Sequence, residues 1–259
     1  MAPPRTYRCE ALTLKNTPLG ESDLLVTLYT REHGKLRAVA KGARKSASKL
    51  VGHLEPLTVV RLSMAQGRSL DIVTQAQVLD SFPALKSNLT AITEGLYVAE
   101  LTDGFGPEAN ANFELYQLAI DVLQVLANDK RSEMALRYFE LHLLRVTGLL
   151  PELHVCVECR EELVPDQHRF SPNLGGVLCL QCSPTDGHIR PLSLRALKVL
   201  RMIRRSNIGE AAGFTLDGSL LSELKSLLST TVGYWLGKEI RSNSFLERLH
   251  NETAPGVYS

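Results

Sequence analysis

Two Cys-x-x-Cys pairs limit what this chain can fold into. The first is Cys156-Val-Glu-Cys159, the second Cys179-Leu-Gln-Cys182, and nineteen residues (160–178) separate them. A two-residue gap lets both sulfurs of a tight turn point at one ion. Two such turns supply the four ligands of a tetrahedral zinc. Four thiolates leave no coordination position for water, so the expected single zinc is structural rather than catalytic. Between the pairs, Arg169-Phe-Ser-Pro-Asn-Leu-Gly-Gly-Val-Leu178 reads as a strand, a Gly turn and a second strand, a zinc-ribbon layout. Pairing the same cysteines as disulfides needs an oxidising compartment. The N-terminal Met1-Ala-Pro-Pro-Arg5 lacks the apolar core of an export signal. A deaminase-type zinc requires a His-x-Glu upstream, and His154-Val-Cys156 has no such Glu. His154 and His188 flank the cluster as substitute ligands, but the four cysteines already fill the shell. Cys9 stands far away, expected half-buried in a strand.

Charge singles out the other informative end. The chain has 259 residues and a net charge of +1, a length that suggests two or three domains. Residues 1–80 hold 12 basic and 7 acidic residues, giving +5; the rest holds 29 − 12 = 17 basic and 28 − 7 = 21 acidic, giving −4. A basic first third points to a polyanionic partner. That third alternates as strands: Tyr7–Leu14, Asp23–Thr30, Lys35–Lys41, Leu57–Met64 and Leu70–Leu79, with turns at Arg31-Glu-His-Gly34 and Gln66-Gly67-Arg68. Five short strands with a linker between the third and fourth suit an oligonucleotide-binding (OB) barrel, with an SH3-like barrel as the alternative. Lys35, Arg37, Lys41, Arg44, Lys45 and Lys49 fall within fifteen residues, and no acid follows them before Glu55. On the third strand, positions 35, 37 and 41 share a face while Leu36, Ala38 and Ala40 take the other. A cationic strand face leading into a Gly-Ala-Arg-Lys-Ser loop suits tracking of a phosphate backbone. The plainer reading is a solvated edge that discourages aggregation. Tyr7, Tyr29 and Phe82 are the region's few aromatics, so backbone contact is expected over base stacking.

From Pro83 the periodicity becomes helical. Helices are expected at Leu85–Thr102, Asn112–Leu126, Ser132–Thr147, from Arg190-Pro-Leu-Ser193 to about Arg205, and Leu220–Ile240. The chain therefore reads as α+β: an N-terminal five-stranded OB-type barrel (1–82), a helical domain (83–150 and 190–245), a zinc ribbon inserted in it (151–189) and a flexible tail (246–259). In the fourth helix Leu192, Ala196, Val199, Leu200 and Ile203 make an apolar stripe. Arg195, Lys198, Arg201, Arg204 and Arg205 lie opposite, as a second DNA surface or simply a solvated face. No run of about 18 apolar residues spans a membrane. Asn88-Leu-Thr90 and Asn251-Glu-Thr253 fit the glycosylation triplet, without meaning in a cytosolic chain.

No phosphate-binding P-loop, His-Glu-x-x-His or Gly-x-Ser-x-Gly motif occurs, so no enzyme is expected. The motifs in order do resemble one family. Gly34-Lys-Leu-Arg-Ala-Val-Ala-Lys-Gly-Ala-Arg-Lys-Ser46, Leu54-Glu-Pro-Leu57, Glu140-Leu-His-Leu-Leu-Arg-Val-Thr-Gly-Leu-Leu-Pro151, the paired Cys-x-x-Cys and Phe170-Ser-Pro-Asn-Leu-Gly-Gly-Val177 are similar to the RecO family of bacterial DNA repair proteins. The resemblance runs to about residue 240. It implies an OB barrel, a helical domain and a zinc ribbon. It further implies binding of single- and double-stranded DNA and strand annealing. With RecR, such proteins load RecA onto strands coated by single-stranded-DNA-binding protein, in the cytoplasm at the nucleoid. By the resemblance, Cys156, Cys159, Cys179 and Cys182 match the metal positions. A zinc-stabilised RNA-binding or transcription-associated module is the alternative function.

Overall fold

The structure, a computed structural model, describes residues 5–46, 48–128, 132–185, 187–242 and 246. Apart from Leu246, the expected tail and the Asn251 triplet lie outside the described residues. The chain divides into two compact units, Met1–Asp129 with Ile240–Ser259, and Lys130–Glu239.

The first unit is built on β1 (Thr6–Leu19), β2 (Asp23–Thr30), β3 (Gly34–Ala40), β4 (Thr58–Ala65) and β5 (Asp71–Asp80). These close in the order β1-β2-β3-β5-β4, the ring expected of an OB-type barrel. The seam is thin: β3 and β5 run parallel and pair only at Ala38↔Asp71 and Val39↔Ile72. Alternate residues fill the interior, among them Ala11, Leu24, Val26, Leu28, Val60, Leu62 and Met64. Cys9 belongs to that interior and is fully buried rather than half-buried. A short helix, α1 (Leu50–His53), links β3 to β4.

β1 runs five residues beyond the expected Leu14. Its first half pairs with β4 and its second with β2, and an irregularity between Thr13 and Lys15 lets one strand serve both. The expected helix over 85–102 is two helices, α2 (Pro83–Lys86) and α3 (Leu89–Phe105). Asn88 breaks them, because its side-chain oxygen accepts from the Ala91 amide at 3.0 Å and so caps α3. α3 packs on the outer face of β1 and β2, which explains why β1 is buried on both faces from Leu12 to Leu14. α4 (Phe113–Asn128) packs on α3 in turn. At the β2–β3 turn Gly34 has φ 69°, and a Cβ there would lie 2.0 Å from the Asn110 carbonyl oxygen. Only glycine fits.

The second unit contains α5 (Ser132–Val146), β6 (His168–Ser171), β7 (Gly176–Leu178), β8 (Arg190–Leu192), α6 (Leu194–Arg205), α7 (Ile208–Ala212) and α8 (Gly218–Leu236). Its sheet has the order β7-β6-β8. Arg190–Leu192 thus forms a strand on β6, not the first turn of a helix. Ser193 then caps α6 by accepting from the Ala196 amide at 3.1 Å. α7, which the sequence did not suggest, starts on a capping box between Asn207 and Glu210. α8 stops at Leu236 rather than Ile240, because Gly237 takes a left-handed conformation (φ 66°). The α6 stripe of Ala196, Leu197, Val199, Leu200 and Ile203 packs with Leu220, Leu224, Leu227 and Leu228 of α8 and with Phe170, Val177 and Leu192 of the sheet. Among the described residues no helix is long and apolar enough to cross a membrane.

Candidate metal centre and nucleic-acid interface

The four cysteines converge. Their sulfurs all lie within 4.8 Å of one another, and Cys159 Sγ is 3.9 Å from Cys179 Sγ. A tetrahedral ion with sulfur at about 2.3 Å demands sulfur–sulfur edges of about 3.8 Å. The donor set therefore fits a four-thiolate metal site. All four are free thiols.

Two knuckles present them. In the first, Arg160 donates its amide to the Cys156 carbonyl at 2.9 Å and takes φ 65°, and the Cys156 amide bonds the Glu161 carbonyl at 2.8 Å. A strand-like segment supports this knuckle: Glu152 bonds Gly175 at 2.9 Å, and Val157 bonds Val177 at 2.9 Å. Gly176 is required here, since a Cβ would come within 2.5 Å of the Glu152 carbonyl oxygen. The second knuckle is wrapped around a guanidinium. Arg169 Nη2 donates to the carbonyls of Cys179 (3.2 Å), Leu180 (3.1 Å) and Cys182. Arg169 was not singled out from the sequence; nothing in a strand arginine announces that it will fold back on a cysteine turn.

Crowding splits the thiols apart. Burial opposes ionisation of Cys156, but hydrogen bonds from the backbone at Cys179, Cys159 and Glu158 outweigh it and bring its pKa down to about 6. Cys182 is pushed up to about 12, first by its hydrogen bond with Cys179, then by burial and the other two sulfurs. Four thiolates this close repel one another unless a cation sits among them. Neither flanking histidine joins the cluster: His188 stands edge-on to Tyr234, ring centroids 5.5 Å apart, and His154 lines a hollow beside α6.

The basic residues of the barrel separate into two kinds. Arg37, Lys41, Arg44, Lys45 and Lys49 are exposed. Arg44 also donates to the carbonyls of Gly20 and Glu21, both at 3.3 Å, which steadies the loop after β3 against the β1–β2 turn. Lys35 is different. Its side chain is only 15% exposed, and Nζ lies 2.8 Å from the Asp103 carbonyl, 3.8 Å from the Asp103 carboxylate and 3.9 Å from Glu108. Its charge is engaged with α3 and the turn after it.

The α6 face is also mixed. Arg195 and Lys198 are exposed, yet Arg195 pairs with Asp217, the residue that caps α8. Arg201 is half-buried and donates from Nε to the Leu153 carbonyl at 2.8 Å. Lys198, Arg201 and Arg205 line one hollow of about 490 Å³ together with His154. Burial and then Arg201 and Arg204 keep the His154 imidazole below its ordinary pKa. Arg204 is half-buried and Arg205 exposed.

A closed five-stranded OB-type ring with an exposed cationic edge, in one chain with two cysteine knuckles whose four sulfurs could hold a metal ion, defines a class of mixed α+β protein. The comparisons make the class specific. Residues 1–82 match the family model "Recombination protein O N terminal" and residues 86–244 match "Recombination protein O C terminal". The chain is 35% identical to a DNA repair protein RecO of Dehalococcoides mccartyi (strain ATCC BAA-2266 / KCTC 15142 / 195) over 249 residues, covering 96% of this chain and 98% of that one. It is 37% identical to a DNA repair protein RecO of Roseiflexus sp. (strain RS-1), covering 94% and 86%. It is 36% identical to that of Desulforudis audaxviator, covering 95% and 98%. The chain belongs to the RecO family of DNA repair proteins.

Proposed function

We propose that this chain is a non-enzymatic recombination mediator that binds single- and double-stranded DNA through its barrel and anneals complementary strands. In the same reading it acts in the cytoplasm at the nucleoid. There it helps RecR load recombinase onto strands coated by single-stranded-DNA-binding protein. One zinc, held by Cys156, Cys159, Cys179 and Cys182, orders the two knuckles. The carrying observation is the exposed series Arg37, Lys41, Arg44, Lys45 and Lys49 on a closed OB-type ring, in a member of a DNA repair family. Exposed cations on a strand and loop neutralise phosphates without reading bases, so binding is sequence-tolerant and salt-sensitive. Lys35 sits at the inner end of the series, anchoring the strand that carries it. Lys198, Arg201 and Arg205, with Arg195 and Arg204 beside them, form an auxiliary phosphate surface on the second unit.

Annealing follows from the same charge. Two strands approach only if their phosphates are screened, and a cationic edge that does not stack bases leaves those bases free to pair. The test is an annealing time course with naked complementary oligonucleotides, run beside a binding titration at several salt concentrations. Faster duplex formation is expected, with log affinity falling against log salt at about −0.7 per phosphate engaged on single strands. Binding without any acceleration of annealing would favour an RNA-binding or transcription-associated role instead.

A further inference from the structure

The barrel has a second cationic surface, which shares only Lys49 with the β3 edge. It is a groove of about 590 Å³ across the outward faces of β1, β4 and β5, walled by α1. Its cations are Arg8 of β1, Arg61 of β4 and Lys49 at the start of α1, and His53 lines it beside them. Strand register explains the convergence. Arg8 lies opposite Ser63 and Arg61 opposite Glu10, so the two arginines come from adjacent antiparallel strands on the same outward face. Gln75 and Gln77 of β5 continue that face, opposite Ser63 and Arg61. Among the described residues no carboxylate lines the groove, and Glu10, at its edge, pairs with Arg61 at 3.8 Å. His53 is oriented by its Nδ1, 2.8 Å from the Ala76 carbonyl, which leaves Nε2 for the groove.

The position is as informative as the charge. α3 packs on β1, where Leu12–Leu14 are buried, and on β2, and Lys35 is tied to Asp103 there. The groove lies away from α3, across β1, β4 and β5. It offers point cations at the walls and neutral amides on the floor. That combination fits a phosphodiester backbone whose sugars and bases meet hydrogen-bonding groups, with no aromatic platform to hold a base. An acidic protein segment would meet the same cations and amides; what favours a nucleic-acid strand is the membership of this chain in a DNA repair family.

We propose that this groove seats a nucleic-acid strand of its own, so that one barrel engages two strands at once, one on the β3 edge and one across β1, β4 and β5. The inference rests on the reading of the chain as a strand-annealing protein, and it supplies what that reading lacks, a place for the second strand. The two-residue parallel seam between β3 and β5 separates the tracks, and Lys49 stands at their junction.

The test uses the full chain and short non-complementary single-stranded oligonucleotides in two colours. The variants are Arg8→Gln with Arg61→Gln for the groove, and Arg37→Gln with Lys41→Gln for the edge. All four residues are exposed, so unchanged thermal midpoints are expected to accompany any binding effect. In the wild type two oligonucleotides of different colour should bind one chain together. Each double variant should bind one, with the salt slope of the lost site, about 1.4 for two phosphates, missing from the total. Annealing should fall in the groove variant although it still binds a strand. A wild-type stoichiometry of one, or a groove variant that keeps two strands and wild-type annealing, overturns the groove and leaves the edge intact. A wild type that binds no oligonucleotide overturns the functional reading itself, and the groove with it.

Discussion

Arg37, Lys41, Arg44 and Lys45 all reach into water, while the sulfurs of Cys156, Cys159, Cys179 and Cys182 are drawn to within 4.8 Å of one another. The two regions handle like charge in opposite ways. On the barrel edge, solvent screens the repulsion, so a cationic row costs little and stays ready for an anion. At the knuckles, crowding raises Cys182 to about 12 while amides lower Cys156 to about 6, and only a bound cation lets all four sulfurs ionise together. The first arrangement suits a partner that comes and goes. The second suits an ion that stays. The scaffolds differ accordingly: the barrel closes on its own interior, whereas the knuckles are loops held by a few amides and one arginine.

The largest expected effect tests the knuckles. Cys156→Ser with Cys159→Ser should reduce zinc from one per chain to none by metal analysis. Isolated zinc-finger peptides draw about 10–16 kcal/mol of apparent free energy from their metal. The loss here should be smaller, because Phe170, Val177 and Leu192 are packed into a helical core of their own. Hydrogen exchange should therefore rise through 154–162 and 179–182 first, with the barrel strands unaffected. Exchange that rises equally in both units would break the contrast. Arg169→Ala is the gentler form: with three carbonyls losing their donor, zinc affinity should drop about 10–100-fold, the range for outer-shell partners.

That contrast also governs what the sequence could tell. The cysteine spacing announced the site because two-residue gaps are set by ion geometry, and any fold that binds the ion must respect them. The strands were legible because one face is buried, so apolar residues recur at a period of two. Lys35 shows the limit. It shares an outward strand face with Arg37 and Lys41, and the pattern cannot tell a face open to water from one covered by α3, a helix more than fifty residues further on. Arg8 and Arg61 were invisible for the complementary reason: fifty-three positions apart in sequence, they become neighbours only through the β1–β4 register. The Arg190–Leu192 strand was missed because Pro191 and Ser193 are equally good signals for a helix start.

The next effects separate anchoring from binding on a single strand. Lys35→Ala should cost about 1–3 kcal/mol of stability by denaturant titration, since it removes a charged donor from a poorly exposed carbonyl and carboxylate. Its salt slope for oligonucleotide binding should stay at the wild-type value. Arg37→Glu with Lys41→Glu should do the reverse, leaving stability unchanged and weakening binding roughly tenfold, about 1.4 kcal/mol. If Lys35→Ala flattens the salt slope as much as the exposed pair does, the division between anchor and contact is wrong.

The smallest effect is one of pH, and it belongs to the second unit. His142 of α5 is buried, with Nε2 3.2 Å from the Ile203 carbonyl and Nδ1 3.2 Å from Arg145 Nε. Those partners define one neutral tautomer: Nε2–H donates to the carbonyl and Nδ1 accepts from the guanidinium. Burial first, and Arg145 as well, hold its pKa below the ordinary value, while the Ile203 carbonyl works against them. In the unfolded chain the imidazole protonates near about 6.5. The unfolded state therefore binds more protons as pH falls through that value, and the folded state loses stability until its own lower pKa is reached. The slope from one such group is at most about 1.4 kcal/mol per pH unit. His142→Gln should reduce the fall in the second unit's stability between neutral and mildly acid pH by that histidine's share. His168 and His154, held low by burial in the same unit, should keep part of it. A pH dependence identical in wild type and variant would mean that burial and Arg145 do not hold the imidazole neutral.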